Sequence, residues 1–208
     1  MNLEWLEWAQ RLQAIAQNGL TYAESPFDLE RYQQVQQVAA EMMAAHTGTE
    51  LNYVLDLFAQ EQGYATPKVD VRAAVFQDNK ILLVRERLDH GLWTLPGGWV
   101  DVGESPSTAV VREVYEESGY QTRAVKLVAV YDRNHPRHGH PPFPYHAYKL
   151  FFQCELTGGA PVASYETEEA TFFSEQSIPE LSLSRVVPSQ INRLFEHYRH
   201  PDWQTDFD

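Results

Sequence analysis

Three glutamates, Glu113, Glu116 and Glu117, lie within five consecutive residues of a segment that has helical periodicity. They would occupy the last turns of that helix, where the negative end of the backbone dipole disfavours acidic side chains. Like charges three or four residues apart on a helix cost a further ~0.2–0.5 kcal/mol per pair. A divalent cation such as Mg²⁺ or Mn²⁺, which prefers oxygen ligands, would turn both penalties into attraction. The cluster is therefore a candidate metal site, and the alternative is a solvated acidic face.

The helix that carries these acids has recognisable ends. Ser105 followed by Pro106 is typical of an N-cap and a first helical position, and Gly119 is typical of a C-terminal stop, so the pattern predicts a helix over residues 106–118. Its periodicity predicts one buried apolar face and one acidic face. The apolar face contains Val110, Val111, Val114 and Tyr115, and the acidic face contains the three glutamates with Ala109.

A glycine-containing loop, LPGGWVDVGES, precedes this helix. Gly97 and Gly98 follow the strand-like LWTL, so bare backbone can approach both the helix and the phosphate of a ligand. Arg112 flanks the acidic face and can hold Glu104 or a glutamate of the cluster by charge-assisted hydrogen bonds. An ordinary surface ion pair is the other interpretation of Arg112.

Taken together, the segment resembles the Nudix box, because it matches every fixed position of the 23-residue pattern G-x5-E-x7-R-E-U-x-E-E-x-G-U from Gly98 to Tyr120. The resemblance implies the Nudix fold, a mixed sheet sandwiched by helices, and hydrolysis of a nucleoside diphosphate linked to another moiety. It implies that Glu113, Glu116 and Glu117 bind Mg²⁺ or Mn²⁺ in exchangeable roles, with the Gly97 carbonyl as a further ligand. Arg112 with Glu104 would orient the cluster.

Residues outside the box could complete the site. The general base is either a box glutamate or Glu166 of the acidic segment SYETEEA, for which a solvated turn is the alternative. Arg72, and Arg85 or Arg87, could contact phosphate or be exposed strand cations. Four aromatic residues could stack on a base or belong to the core, and they are Trp93, Trp99, Tyr131 and Phe143.

The first part of the chain reads as a small all-helical unit, residues 1–65. Helical periodicity predicts a helix over residues 3–17, starting at Leu3 and stopping at Asn18-Gly19, and a second from Ser25-Pro26 to Gly48. Thr49 is the expected cap of a third helix, which Gly63 closes. Because short helices are marginal alone, we expect their leftover apolar surface to form a homodimer contact.

Residues 66–208 show the pattern of an α+β domain. Four segments are β-rich, and Asp78-Asn79 predicts a turn between the first two: KVDVRAAVF, KILLVRE, AVKLVAVYDR and YHAYKLFFQCEL. Helical patterns occur at 106–118 and in PSQINRLFEHYRH near the end, which predicts a mixed sheet with two helices. From WLEWAQRLQAIAQNGLTY through TPKVDVRAAVF to ETEEATFF and LSLSR, the chain also resembles the Nudix subgroup with a helical N-terminal domain. That resemblance implies CDP-choline or ADP-ribose pyrophosphatase activity and a dimer.

The connector NHPRHGHPPFPYH, residues 134–146, is rich in proline and histidine. Four imidazoles could suggest zinc, but their spacing fits no standard closed site. The prolines instead predict an extended segment that covers the substrate. The four histidines are His135, His138, His140 and His146.

Composition narrows the class of function. The net charge of −13 disfavours non-specific binding of nucleic acid. Cys154 is the one cysteine and has apolar neighbours, so we expect a buried thiol and a reducing, cytoplasmic setting. Glu4, Glu7 and Arg11 interrupt the apolar pattern of the N-terminus, which argues against a signal peptide or a membrane-spanning helix.

The expected activity is Mg²⁺- or Mn²⁺-dependent cleavage of a small nucleoside diphosphate conjugate, CDP-choline before ADP-ribose. Two alternatives are open. One is cleavage of a pyrophosphate at an RNA end, against which the net charge argues. The other is a nucleotide-sensing module that kept the fold without the activity.

Overall fold

The computed structural model describes residues 4–208. Its first three helices are α1 (Glu4–Tyr22), α2 (Pro26–Thr47) and α3 (Leu51–Ala59). They share a buried core in which three alanines allow α1 and α2 to approach closely, and its members are Leu6, Ala9, Ala39, Ala40, Met43, Val54 and Phe58. The predicted helical character of this region is confirmed.

Three of the predicted helix ends in this region are wrong. Gly63 does not close the third helix, because α3 ends at Ala59 with Gln60 as its C-cap. Helix α1 continues through Gly19 to Tyr22. A Cβ at Gly19 would lie 2.3 Å from the ring of Tyr32, so the missing side chain makes room for that ring. Gly19 is thus a packing residue rather than a stop. The hydroxyl of Thr49 bonds that of Thr47 at 2.8 Å, and Glu50 occupies the N-cap of α3 without a side-chain cap bond. Leu3, the predicted first residue of α1, lies outside the described residues.

The rest of the chain is a seven-stranded mixed sheet with two helices. In chain order its elements are β1 (Lys68–Gln77), β2 (Lys80–Glu86), β3 (Trp93–Thr94), α4 (Pro106–Ser118), β4 (Tyr120–Asp132), β5 (Ala147–Gly159), β6 (Thr167–Ser174), α5 (Pro188–Arg199) and β7 (Asp206–Phe207). The strand order is β3-β2-β1-β5-β4-β7, with β6 paired to β2. The pairs β1–β5 and β4–β7 are parallel and the others antiparallel.

Alternation along β1 places its side chains on both faces of the sheet. Val71, Ala73 and Val75 pack against α4, while Ala74 lies in the core that contains residues of α5. The predicted sandwich of helices around a mixed sheet is confirmed. The turn at Asp78-Asn79 is also present, with φ of 51° and 59° at the two residues, as a two-residue hairpin turn requires.

The described chain divides into two compact units. The first ends at Pro67 and also includes residues 142–146, and the second comprises Lys68–Pro141 with Ala147–Asp208. The predicted boundary between residues 65 and 66 stays a prediction. Cys154 is free and buried. No helix within residues 4–208 combines the length and apolar character that crossing a bilayer needs.

The proline- and histidine-rich connector was predicted to be extended, and this is wrong for part of it. Pro136–His138 forms a 3₁₀ turn because the His135 side chain caps it and Gly139 ends it in a left-handed conformation. Two of its imidazoles are buried in polar contacts. His138 Nε2 lies 2.9 Å from the Asp208 carboxylate, and the two ring nitrogens of His140 contact the Leu183 carbonyl and Gln190.

Candidate active site

Helix α4 has the predicted bounds, and its local chemistry explains them. The Ser105 side chain accepts a hydrogen bond from the Thr108 N–H at 3.2 Å, and Pro106 starts the helix. At the other end Gly119 adopts φ 75°, and its N–H donates to the Tyr115 carbonyl. These caps fix the positions of the acidic residues along the axis.

The acidic face of α4 is largely covered, so the alternative interpretation, a solvated acidic face, does not hold for two of its three glutamates. Glu113 is 9% and Glu117 4% exposed, and only Glu116 of the three lies at the surface. Tyr115, predicted to be buried, is instead 57% exposed. The reason is tertiary: the loop of residues 95–98 covers the side of the helix on which Glu113 and Glu117 lie.

The loop of residues 95–98 reaches the two buried glutamates through its glycines. The Gly97 N–H donates to Glu117 Oε2 at 2.8 Å, and a Cβ at Gly98 would lie 3.0 Å from Glu113 Oε1. Gly97 has φ 143°, and a Cβ there would lie 2.0 Å from the Val71 carbonyl oxygen. The loop therefore fits between β1 and α4 only with bare backbone, as the sequence predicts.

Burial perturbs the two covered carboxyl groups. It raises the pKa of Glu117 to about 8, although the charge of Arg72 and the Gly97 N–H oppose the shift. It also raises the pKa of Glu113, against the opposing charge of Arg112. Two glutamates that resist ionisation side by side are suited to a dication, because the ion supplies the charge that burial withholds.

Arg112 connects the exposed and buried parts of the cluster. Its Nη2 lies 3.0 Å from Glu104 Oε2, and its Nη1 lies 3.0 Å from Glu113 and 2.8 Å from Glu116. The hydrogen bonds from Arg112 lower the pKa of Glu104. One guanidinium thus holds three carboxylates in a fixed relation.

The donor set fits a hard divalent cation in its chemistry. It offers the carboxylate oxygens of Glu113, Glu116 and Glu117 together with the buried backbone of Gly97. In the part of the chain that the structure describes, no three acidic, histidine or cysteine side chains already converge on a common point. Arg112 occupies oxygens of two of the donors instead, so an ion would displace its Nη1 from Glu113 and Glu116.

Glu166 lies on a segment that is attached to the end of α4. The hydroxyl of the next residue, Thr167, donates to the Glu117 carbonyl at 2.5 Å, and the Glu166 carbonyl accepts from the Arg87 N–H at 2.9 Å. The Glu166 side chain is exposed. The structure therefore brings this candidate base next to the cluster in the chain fold without fixing its carboxylate.

The predicted substrate-binding residues have different environments. Arg72 is 5% exposed and Tyr131 is 7% exposed, and the Tyr131 hydroxyl donates to the Asp206 carboxylate at 3.1 Å. Trp93 is partly buried, with its ring 4.8 Å from that of Phe173. Arg85 is exposed and donates to the Gly91 carbonyl. Phe143 belongs to the helical unit, where its carbonyl accepts from Gln10.

Buried charged residues next to the cluster were missed from the sequence. Glu86 is 3% exposed, pairs with Arg185 at 3.2 Å, and its charge acts on Glu117. Asp70 and Lys149 are 5% and 2% exposed and form an ion pair. The one available signal was VDVR, in which charges alternate with valines inside an otherwise apolar strand.

Comparison with known proteins decides which family this geometry represents. The NUDIX domain matches residues 66–194, which is more than half of the chain. The chain belongs to the Nudix hydrolase family. Residues 3–58 match a domain described as UDP-X-like, N-terminal oligomerisation domain. Nudix hydrolases generally use divalent metal ions, in keeping with the donor set on α4.

Full-length relatives support the membership. A Bacillus subtilis protein provisionally named an ADP-ribose pyrophosphatase is 49% identical over 205 residues, which are 99% of this chain and 97% of that protein. The crystal structure of a UDP-X diphosphatase is 32% identical with a TM-score of 0.63, covering 99% of this chain and 98% of its own. An ADP-ribose pyrophosphatase structure from Streptococcus suis is 42% identical with a TM-score of 0.61, and the match covers 69% of this chain and 100% of that chain.

Proposed function

We propose that this Nudix hydrolase cleaves, with Mg²⁺ or Mn²⁺, the pyrophosphate bond of a nucleoside diphosphate linked to another moiety. The observation that carries the proposal is the pair of buried glutamates, Glu113 and Glu117, beneath the glycine loop within a complete box. ADP-ribose is the first substrate to test, because the full-length Bacillus subtilis relative bears that name. CDP-choline, expected first from the sequence, and a UDP-linked substrate follow.

The carboxylates of Glu113, Glu116 and Glu117 and the Gly97 carbonyl would hold the divalent ion. When bound, such an ion neutralises pyrophosphate oxygens and lowers the pKa of water. Arg112, which bonds Glu104, Glu113 and Glu116 in the structure, would keep its bonds to Glu104 when the other two carboxylates hold the ion. Glu166, exposed beside Thr167, accepts the proton of the attacking water.

A substrate panel tests the proposal. ADP-ribose, UDP-glucose, CDP-choline and a capped RNA oligonucleotide are incubated with Mg²⁺ or Mn²⁺, and products are measured as phosphate after phosphatase coupling. We expect turnover of one or more of the three small conjugates, no turnover of the RNA and near-complete loss in EDTA. Full activity in EDTA would refute the metal role, and cleavage of the RNA alone would replace the substrate class.

A further inference from the structure

Arg72, a predicted phosphate contact, is enclosed at the centre of a buried ion network. Its Nε and Nη2 donate to the two oxygens of Asp70 at 3.0 and 2.7 Å, and Lys149 Nζ donates to the same carboxylate at 2.5 Å. Burial opposes the ionisation of Asp70, but Arg72 and Lys149 outweigh it and hold its pKa below the ordinary value. The paired carboxylate thus fixes the plane of the guanidinium.

The remaining bond of this guanidinium points at the loop of residues 95–98. Arg72 Nη1 donates to the Leu95 carbonyl at 3.2 Å. On either side of Arg72 the backbone of β1 binds the same loop, because the Val71 N–H donates to the Gly98 carbonyl and the Ala73 N–H to the Pro96 carbonyl, both at 2.8 Å. Three consecutive residues of β1 therefore hold three of the four loop residues, Leu95, Pro96 and Gly98.

The loop in turn orients a box glutamate. The Gly97 N–H donates to Glu117 Oε2. A Cβ at Gly97 would lie 2.0 Å from the Val71 carbonyl oxygen, so the backbone of Gly97 packs directly against β1. A contiguous path of hydrogen bonds thus runs from Lys149 and Asp70 through Arg72 and the loop to Glu117. Every link in it is buried.

We propose that Arg72 is a positioning residue, which, held by Asp70 and Lys149, fixes the loop of residues 95–98 and through it the Gly97 carbonyl and the Glu117 carboxylate. The role rests on the proposed function, in which these two groups hold the metal ion. A buried ion network contributes little net stability, but a buried polar network whose members are all hydrogen-bonded rigidifies its surroundings. Arg72 then acts on the ion site without touching substrate phosphate.

The test compares Arg72→Lys and Asp70→Asn with Arg123→Lys, a matched control on the surface of β4, where Arg123 pairs with Glu155. Lysine keeps the charge but cannot bond Asp70 through two nitrogens and Leu95 through a third. Mn²⁺ binding to each protein is measured by calorimetry without substrate. We expect about tenfold weaker binding for Arg72→Lys, a smaller loss for Asp70→Asn and none for the control.

Kinetics separate positioning from phosphate contact. If Arg72 positions the loop, Arg72→Lys should need about tenfold more Mg²⁺ than the wild type for its half-maximal rate with ADP-ribose. Its KM for ADP-ribose at saturating Mg²⁺ should stay within about twofold of the wild-type value. If Arg72 instead contacts substrate phosphate, Arg72→Lys should raise KM at every Mg²⁺ concentration and leave Mn²⁺ binding unchanged. That result would overturn the inference.

Hydrogen exchange of the peptide that covers residues 95–100 tests the loop independently of metal and activity. We expect faster exchange at the Gly97 and Val100 amides in Arg72→Lys than in the control, because both amides are hydrogen-bonded in the wild type. If the Gly97 and Val100 amides of Arg72→Lys and Asp70→Asn exchange as slowly as those of the wild type, the positioning role is overturned. A wild type that binds no Mn²⁺ would refute the proposed function instead. If Arg72→Lys does not fold, Asp70→Asn answers the same three measurements.

Discussion

At the scale of single residues, the buried glutamate Glu117 makes folding depend on pH. Burial raises its pKa from 4.5 to about 8. Between these values the folded protein binds a proton that the unfolded chain releases, so the free energy of unfolding falls as the pH rises. The contribution of one such group is up to about 1.4 kcal/mol per pH unit.

The substitution Glu117→Gln should flatten this dependence. Urea unfolding in EDTA is compared near pH 6, inside the window in which Glu117 titrates, and near pH 9, above it. The loss of stability between the two should be smaller for the variant than for the wild type. Glu116→Gln is the matched control on the same helix, because the Glu116 side chain is exposed. Equal losses in the wild type and Glu117→Gln would show that Glu117 is not the buried proton acceptor.

Gly97 is the residue whose replacement by alanine should be most damaging. A Cβ would lie 2.0 Å from the Val71 carbonyl oxygen, and the backbone φ of 143° is strained for alanine. We expect Gly97→Ala to lose about 3 kcal/mol or more of stability, measured by urea unfolding, and nearly all turnover.

The control for Gly97→Ala is Gly103→Ala, which has φ 90° and open space around its Cβ. It should lose about 1 kcal/mol, the backbone strain alone. Similar losses at both glycines would show that the contact between loop and strand does not constrain Gly97.

Single-residue chemistry was predictable wherever its cause is local. The cap residues Ser105 and Gly119 give the ends of α4 because their bonds reach only three or four residues away. The burial of Arg72 was not predictable, since its environment depends on Asp70 bonding to Lys149, which is 79 residues distant in the chain. Periodicity places Glu113 and Glu117 on one face but cannot reveal that a loop covers it.

At the scale of elements, the contact between α1 and α2 depends on Gly19. Glycine inside a helix costs about 1 kcal/mol relative to alanine. If Gly19 lay on an open surface, Gly19→Ala would therefore stabilise the protein. The Tyr32 ring occupies the space of the missing side chain, with a Cβ distance of 2.3 Å. We expect Gly19→Ala to lower the stability by about 1–3 kcal/mol in thermal unfolding.

A double substitution checks the cause of that loss. Gly19→Ala introduced into Tyr32→Ala should no longer destabilise, because the ring that it would strike has been removed. An increase in Tm for Gly19→Ala alone would mean that Gly19 is no more than a poor helix former. The sequence shows the glycine but not its partner, which is why a helix end was predicted there.

At the scale of the whole molecule, exposed apolar residues on α1 form a stripe. Trp8, Ile15 and Tyr22 recur every seven residues and are 52%, 53% and 67% exposed. This spacing keeps them on one face of a helix. The region matches an oligomerisation domain by its family description, and we propose that the stripe contacts a second copy of the chain.

Ile15→Glu should therefore convert a dimer into a monomer in sedimentation at micromolar concentration. A charge in an apolar contact leaves a desolvated carboxylate without a partner, which opposes association. Gln33→Glu, an exposed position on α2, adds the same charge as a control. A monomeric wild type, or a dimer that survives Ile15→Glu, would exclude this contact.

The ion pairs of Arg112 bear on the order of folding and metal binding. Because its guanidinium already pairs with Glu113 and Glu116, the repulsion between these carboxylates is reduced before any ion binds. Under the proposed function, a newly made chain would complete folding first and would bind its cation later, when the ion replaces the Arg112 guanidinium beside these carboxylates. Stripping and reloading should then be repeatable without denaturation, unlike in small domains that unfold when their metal is withdrawn.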